Sequence, residues 1–312
     1  MNPQQIKEIT DSIIKETGKR LVGYDTYIKK ILVCLWANGH VLLEGNPGLA
    51  KTLAASTLAE ILGIGFGRVQ FTPDLMPSDI TGVNVYNQKS LEFEFLEGPV
   101  FTNMLLCDEI NRSPPKTQAA LLEAMQERQV SVEGSARKLP DPFLVIATQN
   151  PLENAGVYPL PEAQQDRFLV KLLIDLPTRD NEREMLYIKH KNLNPAVDTL
   201  LSADIISDIQ KSILKVEFSE QVVEYILNIV TGTRNNSSIE MGASPRASIA
   251  LMQLGKAVAA VNGRDFITPD DIKYVAFDVL NHRIILSHEA ELDRVDPRDI
   301  ISTLVEKSKV EI

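Results

Sequence analysis

Residues 41–52, Val-Leu-Leu-Glu-Gly-Asn-Pro-Gly-Leu-Ala-Lys-Thr, constrain the fold more than any other stretch of the chain. The apolar run Val41 to Leu43 predicts a buried strand, and Gly45-Asn46-Pro47-Gly48-Leu49-Ala50 predicts a turn-forming loop. Lys51-Thr52 leads into a helix expected over Leu53 to Leu62. Strand, loop and helix in that order let backbone N–H groups and the positive helix end converge on one anion. Lys51 is then placed to reach the β- and γ-phosphates of a nucleotide, and the Thr52 hydroxyl to ligate Mg²⁺. Ala50 departs from the G-x-x-x-x-G-K-[ST] pattern, in which a second glycine precedes the lysine. That change is expected to cost little provided φ there is negative. The competing reading of the segment is a Gly- and Pro-punctuated loop before an ordinary helix.

The second decisive segment is Met104-Leu105-Leu106-Cys107-Asp108-Glu109, a buried strand ending in two acids. Parallel α/β sheets gather their ligands at the C-terminal ends of the strands. Asp108 is expected to hold the metal shell and Glu109 to polarise an attacking water. A third strand, Phe143 to Thr148, delivers Gln149-Asn150-Pro151. Asn150 there is either a hydrogen-bonding partner of water and γ-phosphate or a simple turn residue before proline.

Between these strands the chain carries more than a minimal connection needs. Val83–Tyr86 and Leu91–Phe95 alternate around Asn87-Gln88-Lys89-Ser90, and a second pair, Gln129–Val132 and Arg137–Leu139, flanks Glu133-Gly134-Ser135; each predicts a hairpin. The first suits contact with a partner or substrate, or is an ornament packed on the surface. Ser113-Pro114 predicts a helix start running to about Arg128. Upstream, helices are expected over 3–18 and from Asp25 to Asn38. Val22-Gly23 between them either turns the chain into core packing or lines an adenine pocket.

A short helix over Pro161 to Arg167 precedes the apolar strand Phe168 to Ile174. Arg167 is a candidate for reaching the phosphates of a neighbouring subunit, with a salt bridge to Asp166 or Glu162 as the alternative. Beyond about residue 176 only helices are expected, over 180–191, 202–214, 219–232, 245–261, 269–281 and 297–307. Ser244-Pro245, Thr268-Pro269 and Asp296-Pro297 mark three of their starts. Arg246 falls in a first helical turn, where a cation opposes the helix dipole and calls for a negative partner, a nucleotide phosphate or a structural carboxylate.

The chain has 312 residues, enough for two domains, and a formal charge of −10. That balance disfavours a nucleic-acid grip, which needs a basic face, and favours protein partners. Cys34 and Cys107 sit in apolar runs and read as buried free thiols. His40, His190, His282 and His288 lack metal-ligand spacing, so no zinc is assigned. With no apolar leader and no long uncharged apolar stretch, a soluble, cytoplasmic protein without a membrane span is expected.

Taken in order, Gly-Asn-Pro-Gly-Leu-Ala-Lys-Thr, Leu-Cys-Asp-Glu-Ile-Asn-Arg-Ser-Pro-Pro-Lys, Ala-Thr-Gln-Asn-Pro, Pro-Glu-Ala-Gln-Gln-Asp-Arg-Phe and Ser-Pro-Arg-Ala make the chain resemble the MoxR family of AAA+ ATPases. The resemblance implies an α/β P-loop AAA+ core, a parallel sheet flanked by helices with inserted β-hairpins, over residues 1–176. An all-α lid domain over 177–312 follows. It implies Walker A at Gly45 to Thr52, Walker B at Asp108 and Glu109, sensor 1 at Asn150, an arginine finger at Arg167 and sensor 2 at Arg246. Arg112 and Arg128 remain alternative fingers. The hairpins would be a helix-2 insert and a pre-sensor-1 hairpin. It further implies ATP and Mg²⁺ as cofactors, a homo-oligomeric and often hexameric ring, a partner carrying a von Willebrand factor A domain, and a client complex matured by ATP hydrolysis. A DNA-dependent motor and a nucleotide-gated binding module with incidental hydrolysis are the rival readings.

Overall fold

A computed structural model describes residues 1–151, 157–190 and 195–308. After two helices, α1 (Pro3–Thr17) and α2 (Asp25–Trp36), the chain enters β1 (Val41–Glu44) and α3 (Lys51–Leu62). There follow β2 (Phe66–Gln70), α4 (Pro77–Thr81), a hairpin of β3 (Gly82–Asn87) and β4 (Glu92–Glu97), and β5 (Met104–Asp108). Then come α5 (Pro115–Glu127), a second hairpin of β6 (Gln129–Val132) and β7 (Ser135–Lys138), β8 (Leu144–Gln149), α6 (Glu162–Gln165) and β9 (Val170–Leu173). Five of these strands form one parallel sheet in the order β2-β5-β8-β1-β9.

The central strands are apolar throughout because both faces are covered. Alternate residues go to opposite sides. Val41, Leu43, Met104, Leu106, Leu144 and Ile146 join the core made with α1, α2, α3 and the C-terminal helices. Leu42, Leu105, Cys107, Val145 and Ala147 join a second core with α5 and the base of the hairpins. Cys34 and Cys107 are buried and unpaired, and burial pushes both thiols up.

The two hairpins touch each other. Asn84 donates to Glu133 at 2.6 Å, and the Arg137 guanidinium stacks 4.0 Å from the Phe95 ring centre.

The C-terminal part consists of α7 (Arg179–His190), α8 (Ala203–Ile213), α9 (Glu220–Arg234), α10 (Pro245–Val261), α11 (Pro269–Leu280), α12 (His288–Leu292) and α13 (Pro297–Lys307). It is helical, but the expectation of helices only is corrected by one short pairing: β10 (Ile239–Met241) and β11 (Ile285–Leu286) run antiparallel, and α12 is a further short helix. Position 191, the expected end of the first of these helices, lies outside the described residues. The three proline-marked starts hold. Ser244 and Asp296 accept from the N–H groups of Arg246 and Arg298, and Thr268 forms a capping box with Asp271.

The helix expected to open with Ser113 as cap begins instead at Pro115, after a 3₁₀ turn over Ile110–Arg112. Ser113 is buried and bonds the Ile110 carbonyl, so Pro115 takes the first helical position. The outer side of β9 is covered by residues 281–283. Asn281 donates to the Lys171 carbonyl at 2.9 Å, and Arg283 donates to the Phe168 carbonyl at 2.7 Å. Among the described residues no helix is long and apolar enough to cross a membrane.

Candidate nucleotide site

The loop after β1, the ends of β5 and β8 and the polar side chains of β2 meet at the C-terminal edge of the sheet. They enclose a cleft of about 520 Å³ lined by Gly45, Pro47 to Leu53, Arg68, Gln70, Asp108, Glu109 and Thr148 to Asn150. Gly48 takes φ +84, and a side chain there would meet nothing within 4 Å, so its backbone lies open to the cleft. Ala50 takes φ +49, not the negative angle expected, so the Cβ that replaces glycine sits in left-handed backbone and is strained by about 1–2 kcal/mol.

Lys51 donates to the Gly45 carbonyl at 2.5 Å. Burial lowers its pKa, opposed by the carboxylates of Asp108, Glu109 and Glu44. Thr52 donates to Asp108 Oδ2 at 3.3 Å and Thr148 to Asp108 Oδ1 at 3.1 Å. The parallel register puts Gln70 opposite Asp108. Consequently Arg68 Nε reaches Asp108 Oδ2 at 2.9 Å, and Gln70 Nε2 reaches Glu109 Oε2 at 2.6 Å. Arg112 adds a bond to the same Glu109 oxygen at 3.0 Å. The Glu109 N–H donates to Thr148 Oγ1 at 2.9 Å, tying the ends of β5 and β8 together. Asn150 is 8 % exposed at the rim.

This donor set fits a nucleoside triphosphate with a divalent metal. An open loop backbone and a lysine suit the phosphates, while a hydroxyl and a carboxylate 3.3 Å apart suit a hard cation.

Arg167 and Arg246 are elsewhere. They line a second cleft, of about 280 Å³, at the N-terminal edge of β9, with Asp166, Arg283 and Arg128. Arg167 bonds Gln126 and the Leu122 carbonyl. Arg246, 60 % exposed, pairs with Asp166 at 3.4 Å, so the structural-carboxylate reading of its first-turn charge is realised. Arg283 takes the other Asp166 oxygen at 2.6 Å and is 3 % exposed. Arg128 is bound to Asn38 and to the Phe143 carbonyl, holding α5 to the start of β8. Val22 and Gly23 line neither cleft; Gly23 takes φ +79 and lies against the Asn181 side chain.

The arrangement of loop, acids and lid is matched in known proteins. The family described as "ATPase family associated with various cellular activities (AAA)" matches residues 40–170, and an AAA lid domain matches residues 231–304. The chaperone MoxR1 of Mycobacterium tuberculosis is 43 % identical, over 94 % of this chain and 80 % of its own length. The protein YeaC of Bacillus subtilis is 42 % identical over 99 % of this chain and 97 % of its own. A solved structure from Cytophaga hutchinsonii, provisionally named an ATPase, superposes with a TM-score of 0.93 at 44 % identity, covering 99 % of this chain and 97 % of that one.

The chain belongs to the MoxR family of AAA+ ATPases.

Within this MoxR-type fold, the sequence reading missed Arg68, Gln70, Thr148 and Arg283. The first two carried a usable signal. Arg68 and Gln70 flank Val69 with period two at the end of a strand, so both stand on the face of β2 opposite Val69, next to the acids of β5. The others announce themselves only through contacts distant in sequence, such as Arg283 with Asp166.

Proposed function

We propose that this chain is a Mg²⁺-dependent ATP hydrolase of the MoxR type, working in a homo-oligomeric, hexameric ring and using turnover to remodel or mature protein complexes. One observation carries the reading. Lys51, Thr52, Asp108, Glu109 and Asn150 surround one cleft at the C-terminal edge of the sheet, while Arg167 and Arg246 stand at the opposite edge.

Residues 45–52 bind the phosphates, with Lys51 as a positive charge at their β- and γ-oxygens. Thr52 and Asp108 would hold Mg²⁺, which when bound neutralises charge on those oxygens. A Glu109 carboxylate oxygen takes a proton from the attacking water, and Asn150 orients that water. Arg167 and Arg246 of a neighbouring copy supply positive charge to the transition state.

The nucleotide domain is taken as residues 1–176 and the lid as 177–312. Val22 and Gly23 are the proposed adenine-pocket residues, outside the lining of the phosphate cleft, with Gly23 against the Asn181 side chain. A von Willebrand factor A domain protein is the proposed partner and a cytoplasmic complex the proposed client, in keeping with the net charge of −10.

The test is the specific ATPase rate against protein concentration, with and without Mg²⁺, alongside mass measurement in ATP. A rate that rises as rings form supports shared sites, and a flat rate in a monomer refutes them. Glu109→Gln then separates machine from switch: loss of client activity with nucleotide still bound supports remodelling, and retained client activity means that hydrolysis is incidental.

A further inference from the structure

We propose that Tyr24 is a positioning residue for the phosphate loop, its hydroxyl holding the Leu49–Ala50 peptide so that the Ala50 N–H aims into the nucleotide cleft. The inference rests on the reading of residues 45–52 as the nucleotide site.

Tyr24 is 6 % exposed and donates to the Leu49 carbonyl at 2.8 Å. Leu49 is itself buried, and its side chain belongs to the core beneath the loop. A trans peptide is planar, with its C=O and N–H pointing opposite ways. A carbonyl held on the Tyr24 side therefore turns the next N–H, that of Ala50, to the other side, where Leu49, Ala50 and Lys51 line the cleft. That N–H is then one of the donors offered to a phosphate.

The conformation needs holding. Ala50 lies at φ +49, ψ +24, which a residue with a Cβ avoids. Rotating the Leu49–Ala50 peptide would return Ala50 to negative φ and turn its N–H away from the cleft. Strained backbone of this kind persists only where its surroundings over-determine it. Tyr24 is well placed to do so. Its ring packs 6.1 Å from that of Tyr27, whose hydroxyl accepts from the Asp175 N–H at 2.9 Å, so the ring beside the donor is itself held. A glycine at position 50 would occupy either sign of φ freely and would need no such restraint. The tyrosine and the alanine are thus linked: the hydroxyl compensates for the residue that departs from the usual loop.

A double-mutant cycle on the full chain tests this. Tyr24→Phe, Ala50→Gly and the double variant are titrated with a fluorescent ATP analogue and Mg²⁺, and each is melted without nucleotide. Tyr24→Phe is expected to weaken binding about fivefold where residue 50 is alanine and less than twofold where it is glycine, a coupling of at least about 0.5 kcal/mol. An unchanged Kd in Tyr24→Phe overturns the proposal. So does the same loss in both backgrounds, which would make Tyr24 a packing residue only. Lys51→Ala is run beside them and is expected to abolish binding. With Lys51→Ala defective and Tyr24→Phe normal, the nucleotide site stands and this inference falls. With Lys51→Ala binding normally, both fall.

Discussion

Arg283→Met should destabilise the protein far more than Arg246→Ala, although both arginines pair with the same carboxylate. Arg283 donates to Asp166 Oδ1 at 2.6 Å, to the Val279 and Leu169 carbonyls at 2.6 and 3.1 Å, and to the Phe168 and Asp166 carbonyls at 2.7 and 3.4 Å. Burial lowers its pKa and Asp166 opposes the shift; a guanidinium stays charged regardless. Methionine fills most of the volume but leaves Asp166 with Arg246 as its cation among the described residues and strips the carbonyls of this donor. Breaking a buried pair from one side costs about 3–5 kcal/mol. At about 2 °C per kcal/mol for a chain of this length, the melting temperature falls by roughly 6–10 °C. Arg246 is 60 % exposed at 3.4 Å from its partner, so its loss costs under about 1 kcal/mol. The assay is thermal unfolding by circular dichroism, with urea titration for free energies. Adding Asp166→Asn to Arg283→Met should recover about 1–3 kcal/mol, because the uncompensated charge goes as well. An Arg283→Met protein melting within about 2 °C of its parent, or an equal loss in Arg246→Ala, would refute the reasoning.

Ala50→Gly relieves left-handed strain of about 1–2 kcal/mol at an entropic cost of about 0.5–1, so the urea midpoint should rise slightly; a fall would contradict the strain argument. His40 is buried, accepting from the Val145 N–H and facing the Met125 carbonyl with its other nitrogen, and burial pushes its pKa down to about 3. The unfolded state, with a pKa of about 6.5, binds the proton first, so the His40 contribution is complete above that pH and is lost as pH falls toward about 3. The slope is about 1.4 kcal/mol per unit, so the His40 contribution should fall by about 2 kcal/mol between pH 7 and pH 5, and His282, whose burial also lowers its pKa, adds a loss of the same sign; equal urea stabilities at the two pH values would be a failure. Arg167→Ala should keep nucleotide affinity and lose turnover by about 10³-fold or more in concentrated protein. Unchanged turnover would move the finger to Arg112 or Arg128.

The strands and helices were legible because both kinds of periodicity are strong here. The doubly covered strands are apolar without interruption, and the proline-marked caps at Ser244, Thr268 and Asp296 place three helix starts to the residue. The acids after β5 and the loop after β1 were legible as a site because topology alone brings strand ends together. The backbone of Ala50 was not, because nothing in the letter shows the sign of φ; the loop geometry imposes it. Ser113 misled because a serine before two prolines reads as a cap, whereas the 3₁₀ turn ahead of it turns its hydroxyl back to Ile110. The short pairing of β10 with β11 was hidden in three- and two-residue segments that carry no periodicity.

Strand direction supplies the strongest argument that one copy is not a complete enzyme. β1 ends at the phosphate loop and lies parallel to β9, with Val41 beside Val170 and Glu44 beside Leu173. Arg167 precedes β9 and so stands at the edge where β1 begins, at least a strand's length of about 13 Å from its own loop. Its bonds to Gln126 and Leu122 hold it against α5 on that far side, and Asp166 holds Arg246 there too. In the roles proposed for them, both cations would act on a phosphate only when another copy brings its C-terminal edge against this one's N-terminal edge. Such a contact joins two different surfaces, and repeating it closes a ring or grows a filament. The sheet topology allows the proposed ring, and the mixed assembly of Lys51→Ala with Arg167→Ala subunits is its sharpest probe. Each variant alone should be inactive, whereas mixed rings should recover part of the turnover at interfaces that pair an intact loop with an intact arginine, and no recovery would count against shared sites.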